Sequence, residues 1–326
     1  MTHTLSVRDL AVDYKLSSGG LFRKARSLNI VSDVGFDIKP GETLGLVGES
    51  GSGKTTVGRA ILRRLHAANG KIVFEGKDIT NLSGESLRKL RARMQIVLQD
   101  PYTSLNARMR VVDIVAEPLV VHGLAASTEA ARAEVISLLE RVGLPADAAD
   151  RYPHSFSGGQ RQRIGIARAL ALKPALIIAD EPVSALDVSV RAQVVNLLQD
   201  LQRDLGIAML FIAHDLAIVR HISHRVAIMY SGRIVEIGDR DEIYENPIHP
   251  YTEALLSAVP VANPKLQRAR RRIVYPGEMV DPLHPPAGCR FSPRCPLATD
   301  QCRTEAPSLE KKSGNHFAAC WNRPSA

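Results

Sequence analysis

The sequence predicts an α/β fold with parallel strands, followed by a short basic extension. Three observations carry this reading. Short β-rich apolar runs alternate with helical patterns through the first 260 residues. ALIIAD, Ala175 to Asp180, reads as a buried parallel strand, and ETLGLVGE, Glu42 to Glu49, is an apolar run that ends in glycine. Composition then shifts: residues 261–326 hold 11 Lys/Arg against 5 Asp/Glu and 9 of the 19 prolines. That shift places a boundary near Pro260, with a balanced domain over 1–260 and an extension over 261–326.

The chain of 326 residues is long enough to bury a sizeable core, and its 45% hydrophobic and 23% charged residues are ordinary for a globular protein. No apolar run approaches the ~20 residues of a membrane helix. The start, MTHTLSVRDLAVDYK, has charges where a signal peptide carries its apolar stretch. A chain kept in the cytosol is expected, with its thiols reduced. Of the net charge of +8, the extension carries +6 (11 minus 5), which leaves +2 for residues 1–260. The run KLQRARRR, Lys265 to Arg272, reads as a solvated linker, with anionic lipid or nucleic acid as the sharper alternative.

Between the run ending at Glu49 and the helical pattern TTVGRAILRRL (Thr55 to Leu65) lies GESGSGKT, Gly48 to Thr55. It fits G-x-x-x-x-G-K-[ST] in strand–loop–helix context. Glycines let such a loop curl until its N–H groups face phosphate oxygens, and the helix N-terminus adds positive charge. Lys54 is expected to reach the β- and γ-phosphates, and the Thr55 hydroxyl to ligate Mg²⁺. The strand Ala175 to Asp180 delivers its carboxylate to the C-terminal end, where open α/β sheets bind ligands. Asp180 is then a Mg²⁺ group, and Glu181 is placed to polarise an attacking water. AMLFIAHD, Ala208 to Asp215, is a further strand that should aim His214 at the same phosphate.

A fourth segment, FSGGQRQRIGIARAL (Phe156 to Leu170), opens on Ser157, Gly158, Gly159 and Gln160 and continues as an amphipathic helix. Its opening has the chemistry of a second phosphate cradle. The chain has one Lys-bearing loop and no internal repeat. Two half-sites of different kinds imply that a partner supplies the complement.

On these residues the sequence resembles an ATP-binding cassette (ABC) ATPase. GESGSGKTT, covering Gly48, Glu49, Ser50, Gly51, Ser52, Gly53, Lys54, Thr55 and Thr56, is similar to the Walker A loop. Gln99 in VLQDP is similar to the Q-loop, FSGGQ to the signature motif and IIADEP to Walker B. SALD (Ser184, Ala185, Leu186 and Asp187) is similar to the D-loop, His214 to the switch histidine, and Tyr14 to the aromatic residue that stacks on adenine. The signature has Phe156 where leucine is usual. The resemblance implies a P-loop, RecA-like core with a helical subdomain inserted at roughly 85 to 165 and a small antiparallel sheet near the N-terminus. It also implies Mg²⁺ held through Thr55, Gln99 and Asp180, and a signature motif that caps the nucleotide of a second ATPase subunit.

QDPYTSLNARM, NPIHPYTEALLSAVP (Asn246 to Pro260) and GCRFSPRCPLATDQC resemble the ATPase subunits of oligopeptide and dipeptide importers. The resemblance implies two ATPases, the same chain or different ones, beneath two membrane-spanning permeases at the cytoplasmic face of the membrane. It further implies that an extracytoplasmic binding protein delivers the peptide and that nucleic acid is not a partner. Nickel and glutathione importers share nearly the same tail and remain alternatives, as does a soluble ABC ATPase acting on nucleic acid or ribosomes.

All four cysteines lie in the extension, spaced C-x5-C-x6-C-x17-C at Cys289, Cys295, Cys302 and Cys320. A reducing compartment argues against disulfides. Zinc sites usually show short C-x2–4-C pairs, whereas iron–sulfur clusters tolerate wider spacings, so spacing leaves both metals open. The resemblance to peptide importers, some of whose ATPases hold a 4Fe–4S cluster in this tail, favours iron–sulfur over zinc. Arg290 and Arg294 are placed to offset the charge of such a cluster, and His316 is a spare ligand.

Overall fold

The computed structural model describes residues 3–16, 26–260, 268, 272–277, 280–281 and 283–323. The basic run Lys265 to Arg272 lies outside the described residues, apart from Arg268 and Arg272. In chain order the elements are β1 (Leu5–Leu16), β2 (Arg26–Ile38), β3 (Thr43–Val47), α1 (Lys54–Ile61), β4 (Asn69–Phe74), β5 (Lys77–Asp78), α2 (Gly84–Arg93) and β6 (Met94–Val97). There follow α3 (Pro101–Ser104), α4 (Val111–Val121), α5 (Thr128–Arg141), α6 (Gly158–Leu170), β7 (Leu176–Asp180), α7 (Val188–Leu205) and β8 (Ala208–Ala213). The chain ends with α8 (Leu216–Ile222), β9 (Arg225–Tyr230), β10 (Arg233–Asp239), α9 (Arg240–Glu245), α10 (Pro250–Ser257), α11 (Asp300–Thr304), β11 (Glu310–Ser313) and β12 (His316–Ala318).

The chain divides into two compact units. The first comprises Met1–Leu5, Asp37–Thr43 and Val73–Ala213. Within it β6, β7 and β8 run parallel, with Ile178 of β7 in register with Ile96 and Leu210. Every residue of β7 and β8 is buried, which explains why both read as unbroken apolar runs. Helices α4, α5 and α6 pack on one another and supply the expected helical layer. Their apolar residues, among them Ile114, Val115, Val135, Leu139 and Ile164, are sealed from solvent. β5 pairs antiparallel with the end of β4, Phe74 against Lys77.

The second unit comprises Ser6–Phe36, Leu44–Ile72 and His214–Ala326. Here β3 runs parallel to β9, with Leu46 opposite Ala227. β9 and β10 form a hairpin that closes between Tyr230 and Arg233. Both turn residues have positive φ, Ser231 at 43° and Gly232 at 85°, the backbone that matches the twist of a two-residue hairpin. β12 pairs antiparallel with β10, and β11 with β12, so the extension adds two strands to this sheet. β2, β1 and β4 lie side by side in a separate sheet.

Candidate functional site

The second unit builds the phosphate loop. It runs from the end of β3 into α1, and two glycines make its path possible. A Cβ on Gly48 would sit 2.1 Å from the Met229 carbonyl oxygen, nearer than any side chain can come. Gly53, the N-cap of α1, has φ 101° and ψ 4°, a left-handed conformation that favours glycine. The β9–β10 turn supports the loop from behind, where the Gly232 N–H donates to the Ser52 carbonyl at 2.9 Å. Lys54 is buried, and its ammonium donates to the Gly48 carbonyl at 2.8 Å and the Glu49 carbonyl at 2.9 Å. The Glu49 N–H donates to the Tyr251 hydroxyl at 3.0 Å. Ser50 and Gly51 are exposed, Ser52 is buried, and Thr55 and Thr56 are half-buried in the first turn of α1. In the same unit Tyr14 stands on β1 with its ring partly exposed, and His214 is exposed at the residue before the α8 N-cap.

The first unit carries the acidic and signature residues. Asp180 closes β7 and is buried at 7% exposure. Glu181 has φ 48°, unusual for any residue but glycine, and its N–H donates to the Ile212 carbonyl at 2.9 Å. Gln99 is exposed between β6 and α3. Ser157 and Gln160 cap α6 reciprocally: the Gln160 N–H donates to Ser157 Oγ at 3.3 Å, and the Ser157 N–H donates to Gln160 Oε1 at 3.0 Å. Gly158 is bracketed by two motifs. A Cβ there would lie 3.3 Å from Leu186 of the D-loop and 3.6 Å from the Tyr102 hydroxyl in α3. The segment after Gln99 is also tied to α6, because Gln162 donates to the Leu98 carbonyl at 3.1 Å and Arg168 to the Ser104 carbonyl at 2.8 Å. Arg191 on α7 holds the D-loop by donating to the carbonyls of Leu186 at 2.7 Å and Ser184 at 3.2 Å. Ala185 and Asp187 are exposed.

Residues 31–184 match the ABC transporter family, and residues 235–302 match the oligopeptide/dipeptide transporter C-terminal region. The oligopeptide transport ATP-binding protein AppF of Bacillus subtilis is 50% identical over 97% of this chain and 96% of its own length. The chain belongs to the ABC transporter family. Oligopeptide transport ATP-binding protein OppF of Salmonella typhimurium is 48% identical over 97% of this chain and 95% of its own length. A solved dimeric ATP-binding cassette, bound to ADP and Pi after hydrolysis, superposes with a TM-score of 0.64 at 26% identity, over 72% of this chain and 98% of that one. This chain is thus an ABC ATPase with a P-loop α/β fold. No helix among its described residues is long and apolar enough to cross a membrane.

In this ABC ATPase the cysteines lie in one neighbourhood of the second unit. Burial, and then the nearby thiols of Cys302, Cys295 and Cys320, push Cys289 up to about 11. Burial likewise raises Cys295 and Cys320. Each sulfur also receives hydrogen bonds: the backbone of Phe291 serves Cys289, that of Leu297 serves Cys295, and that of Asn322 serves Cys320. Asn322 Nδ2 and Thr299 Oγ1 each lie 3.4 Å from Cys302 Sγ. Hydrogen bonds of this kind tune sulfur where a metal is bound. As they stand, however, no three His, Cys, Asp or Glu among the described residues could hold a single metal ion.

Two expectations about this neighbourhood need correction. Arg290 and Arg294 do not serve the thiols. Arg290 donates to Ser32 Oγ at 2.8 Å and to the Ser231 carbonyl, and Arg294 donates to Glu49 at 3.3 Å. The cation whose charge reaches Cys295 and Cys320 is Arg323, which pairs with Glu253 at 2.7 Å. His316 is no spare ligand either, because its Nε2 is 2.6 Å from the buried carboxylate of Glu236. Sequence reasoning also missed Tyr251, Arg191 and Arg323. Only Tyr251 had a signal, as the aromatic in the quoted HPYTEALL stretch.

Proposed function

We propose that this ABC ATPase powers import of di- or oligopeptides as one of two ATPase subunits beneath two permeases at the cytoplasmic face of a membrane. The observation that carries this reading is the seat of Lys54 inside the glycine-built loop. A buried ammonium held by two carbonyls is pre-placed for the β- and γ-phosphates of ATP and adds no reorganisation when they arrive. The peptide assignment is supported by the extension, which matches the oligopeptide/dipeptide C-terminal region, and by the relatives' names.

In this reading the residues Gly48 to Thr56 cradle the phosphates and Tyr14 stacks on adenine. Mg²⁺ takes oxygen ligands, and in this reading Thr55, Gln99 and Asp180 would each supply one; bound there, it would neutralise developing phosphate charge. Glu181 orients the attacking water and His214 contacts the γ-phosphate. Ser157 to Gln160 present the α6 N-terminus to the partner's nucleotide, with Ser184 to Asp187 beside them in the D-loop. The four cysteines would hold a 4Fe–4S cluster, which would tie the extension together, and an extracytoplasmic protein would feed peptide to the permeases.

Lys54→Ala should abolish hydrolysis in the assembled transporter, and Glu181→Gln should leave ATP bound without turnover. Wild-type peptide uptake with Lys54→Ala in this subunit and the partner's own site disabled would refute the assignment. Anaerobically purified protein should be brown and lose its colour on Cys295→Ser; colourless protein with stoichiometric zinc would identify zinc instead.

A further inference from the structure

At Glu49 the C-terminal segments reach the phosphate loop. Contacts from three other parts of the chain meet on this residue, whose carbonyl also accepts from the Ser52 N–H within the loop at 3.2 Å. Its N–H donates to the Tyr251 hydroxyl at 3.0 Å, its carbonyl accepts from Lys54 at 2.9 Å, and its carboxylate accepts from Arg294 Nη1 at 3.3 Å. Tyr251 is the second residue of α10, and Arg294 immediately precedes Cys295.

Both partners are themselves held in place. The Arg294 N–H donates to the Phe291 carbonyl at 3.0 Å. The Phe291 ring is buried against Tyr230 at 5.2 Å and Tyr251 at 5.5 Å between centroids. Gly277, at φ 118°, lies so near that a Cβ on it would come within 3.1 Å of Arg294 Cγ. The pair is partly shielded, with the Arg294 side chain 18% and the Glu49 side chain 31% exposed, so salt screens it less than it screens a surface pair. Close packing does not fix the loop on this side. A cavity of about 150 Å³ is lined by Glu49 to Ser52, Tyr230, Ser231 and Val280, and it leaves room for the loop to move.

We propose that Arg294 and Tyr251 are positioning residues for nucleotide binding, so that α10 and the cysteine-bearing extension together set the affinity of the phosphate loop. They fix Glu49, and with it one of the two carbonyls on which Lys54 rests. If the loop samples other conformations, only the competent fraction binds, and the apparent dissociation constant rises by the inverse of that fraction. The proposal rests on the reading of Gly48 to Thr56 as the ATP site.

The test is titration of the full-length chain with a fluorescent ATP analogue, alongside KM and kcat for ATP in the assembled transporter. Arg294→Gln should raise Kd and KM about three- to tenfold with kcat at saturating ATP retained, and Arg294→Lys should recover part of the loss. Tyr251→Phe should shift Kd in the same direction. Glu49→Gln approaches the pair from the loop side, and the double variant Glu49→Gln/Arg294→Gln should bind no more weakly than the worse single variant. Wild-type Kd in Arg294→Gln, or additive losses in the double variant, would overturn the proposal. Lys54→Ala separates the two readings: unimpaired nucleotide binding there refutes the ATP site itself, whereas its loss beside a wild-type Arg294→Gln refutes only the positioning role.

Discussion

His316 Nε2 lies 2.6 Å from Glu236 Oε1, and neither side chain meets solvent to any extent. The same carboxylate accepts from the N–H of Ile248 at 2.8 Å and of His249 at 2.9 Å. One buried carboxyl group therefore joins β10, the approach to α10 and β12. Glu236→Ala leaves two N–H groups and an imidazole without their acceptor, and should cost about 3–5 kcal/mol of stability. Glu236→Gln, which keeps an acceptor oxygen, should cost less. Urea unfolding followed by circular dichroism measures both; equal midpoints for Ala and wild type would contradict this account.

His249 makes stability depend on pH. Burial lowers it from 6.5 to about 4, against a smaller opposing pull from Glu236. Below pH 6.5 the unfolded chain takes up a proton that the folded chain refuses. Stability contributed by the neutral imidazole is therefore present above pH 6.5 and lost as pH falls towards about 4, by an amount on the order of 3 kcal/mol. Unfolding midpoints measured between pH 7.5 and 4.5 should fall, and His249→Asn should flatten that fall.

Glu181 pays for its position with backbone strain. At φ 48° a side chain costs roughly 1 kcal/mol that glycine avoids. Glu181→Gly should abolish hydrolysis yet melt about 2 °C above Glu181→Ala, which loses the same side chain but keeps the strain. Glu181→Gln keeps the strain and should melt with the wild type. A Glu181→Gly protein several degrees less stable than Glu181→Ala would show that the conformation is not strained.

Gly159 lies where α6 crosses α7. A Cβ there would come within 2.2 Å of Val190 Cγ1, and valine has little rotamer freedom with which to yield. Gly159→Ala should displace the start of α6, which on the proposed reading faces the partner's nucleotide, while this chain's own phosphate loop is untouched. Hydrolysis by the assembled transporter should fall at least tenfold with binding of the ATP analogue by the isolated chain unchanged. Full turnover would argue that the crossing adapts freely.

What was legible in the sequence was what neighbouring residues encode. The phosphate loop could be read because its glycines specify backbone angles locally, and β7 because a strand buried on both faces leaves no polar alternation. The start of α6 was visible in the S-x-x-Q spacing of Ser157 and Gln160. The contacts that hold these pieces were not visible. Tyr251 is 202 residues from Glu49, and Arg294 is 245 residues from it. Nothing periodic marks either residue. Arg290 and Arg294 were assigned to the thiols because they adjoin cysteines in sequence, yet folding turns both guanidinium groups towards other partners. Arg191 is one charge among several on α7, and only the path of the chain brings it to the D-loop carbonyls.

The two strands that the extension lays against β10 have a colloidal consequence. β10 is rich in buried aliphatic side chains, including Ile234, Val235 and Ile237, and without β12 it would offer an open row of N–H and C=O groups to any other chain. The outermost strand, β11, is instead only four residues long and reads Glu-Lys-Lys-Ser. A brief, charged rim is a poor template for further strands, so the tail shields this sheet from pairing with other chains as well as completing it.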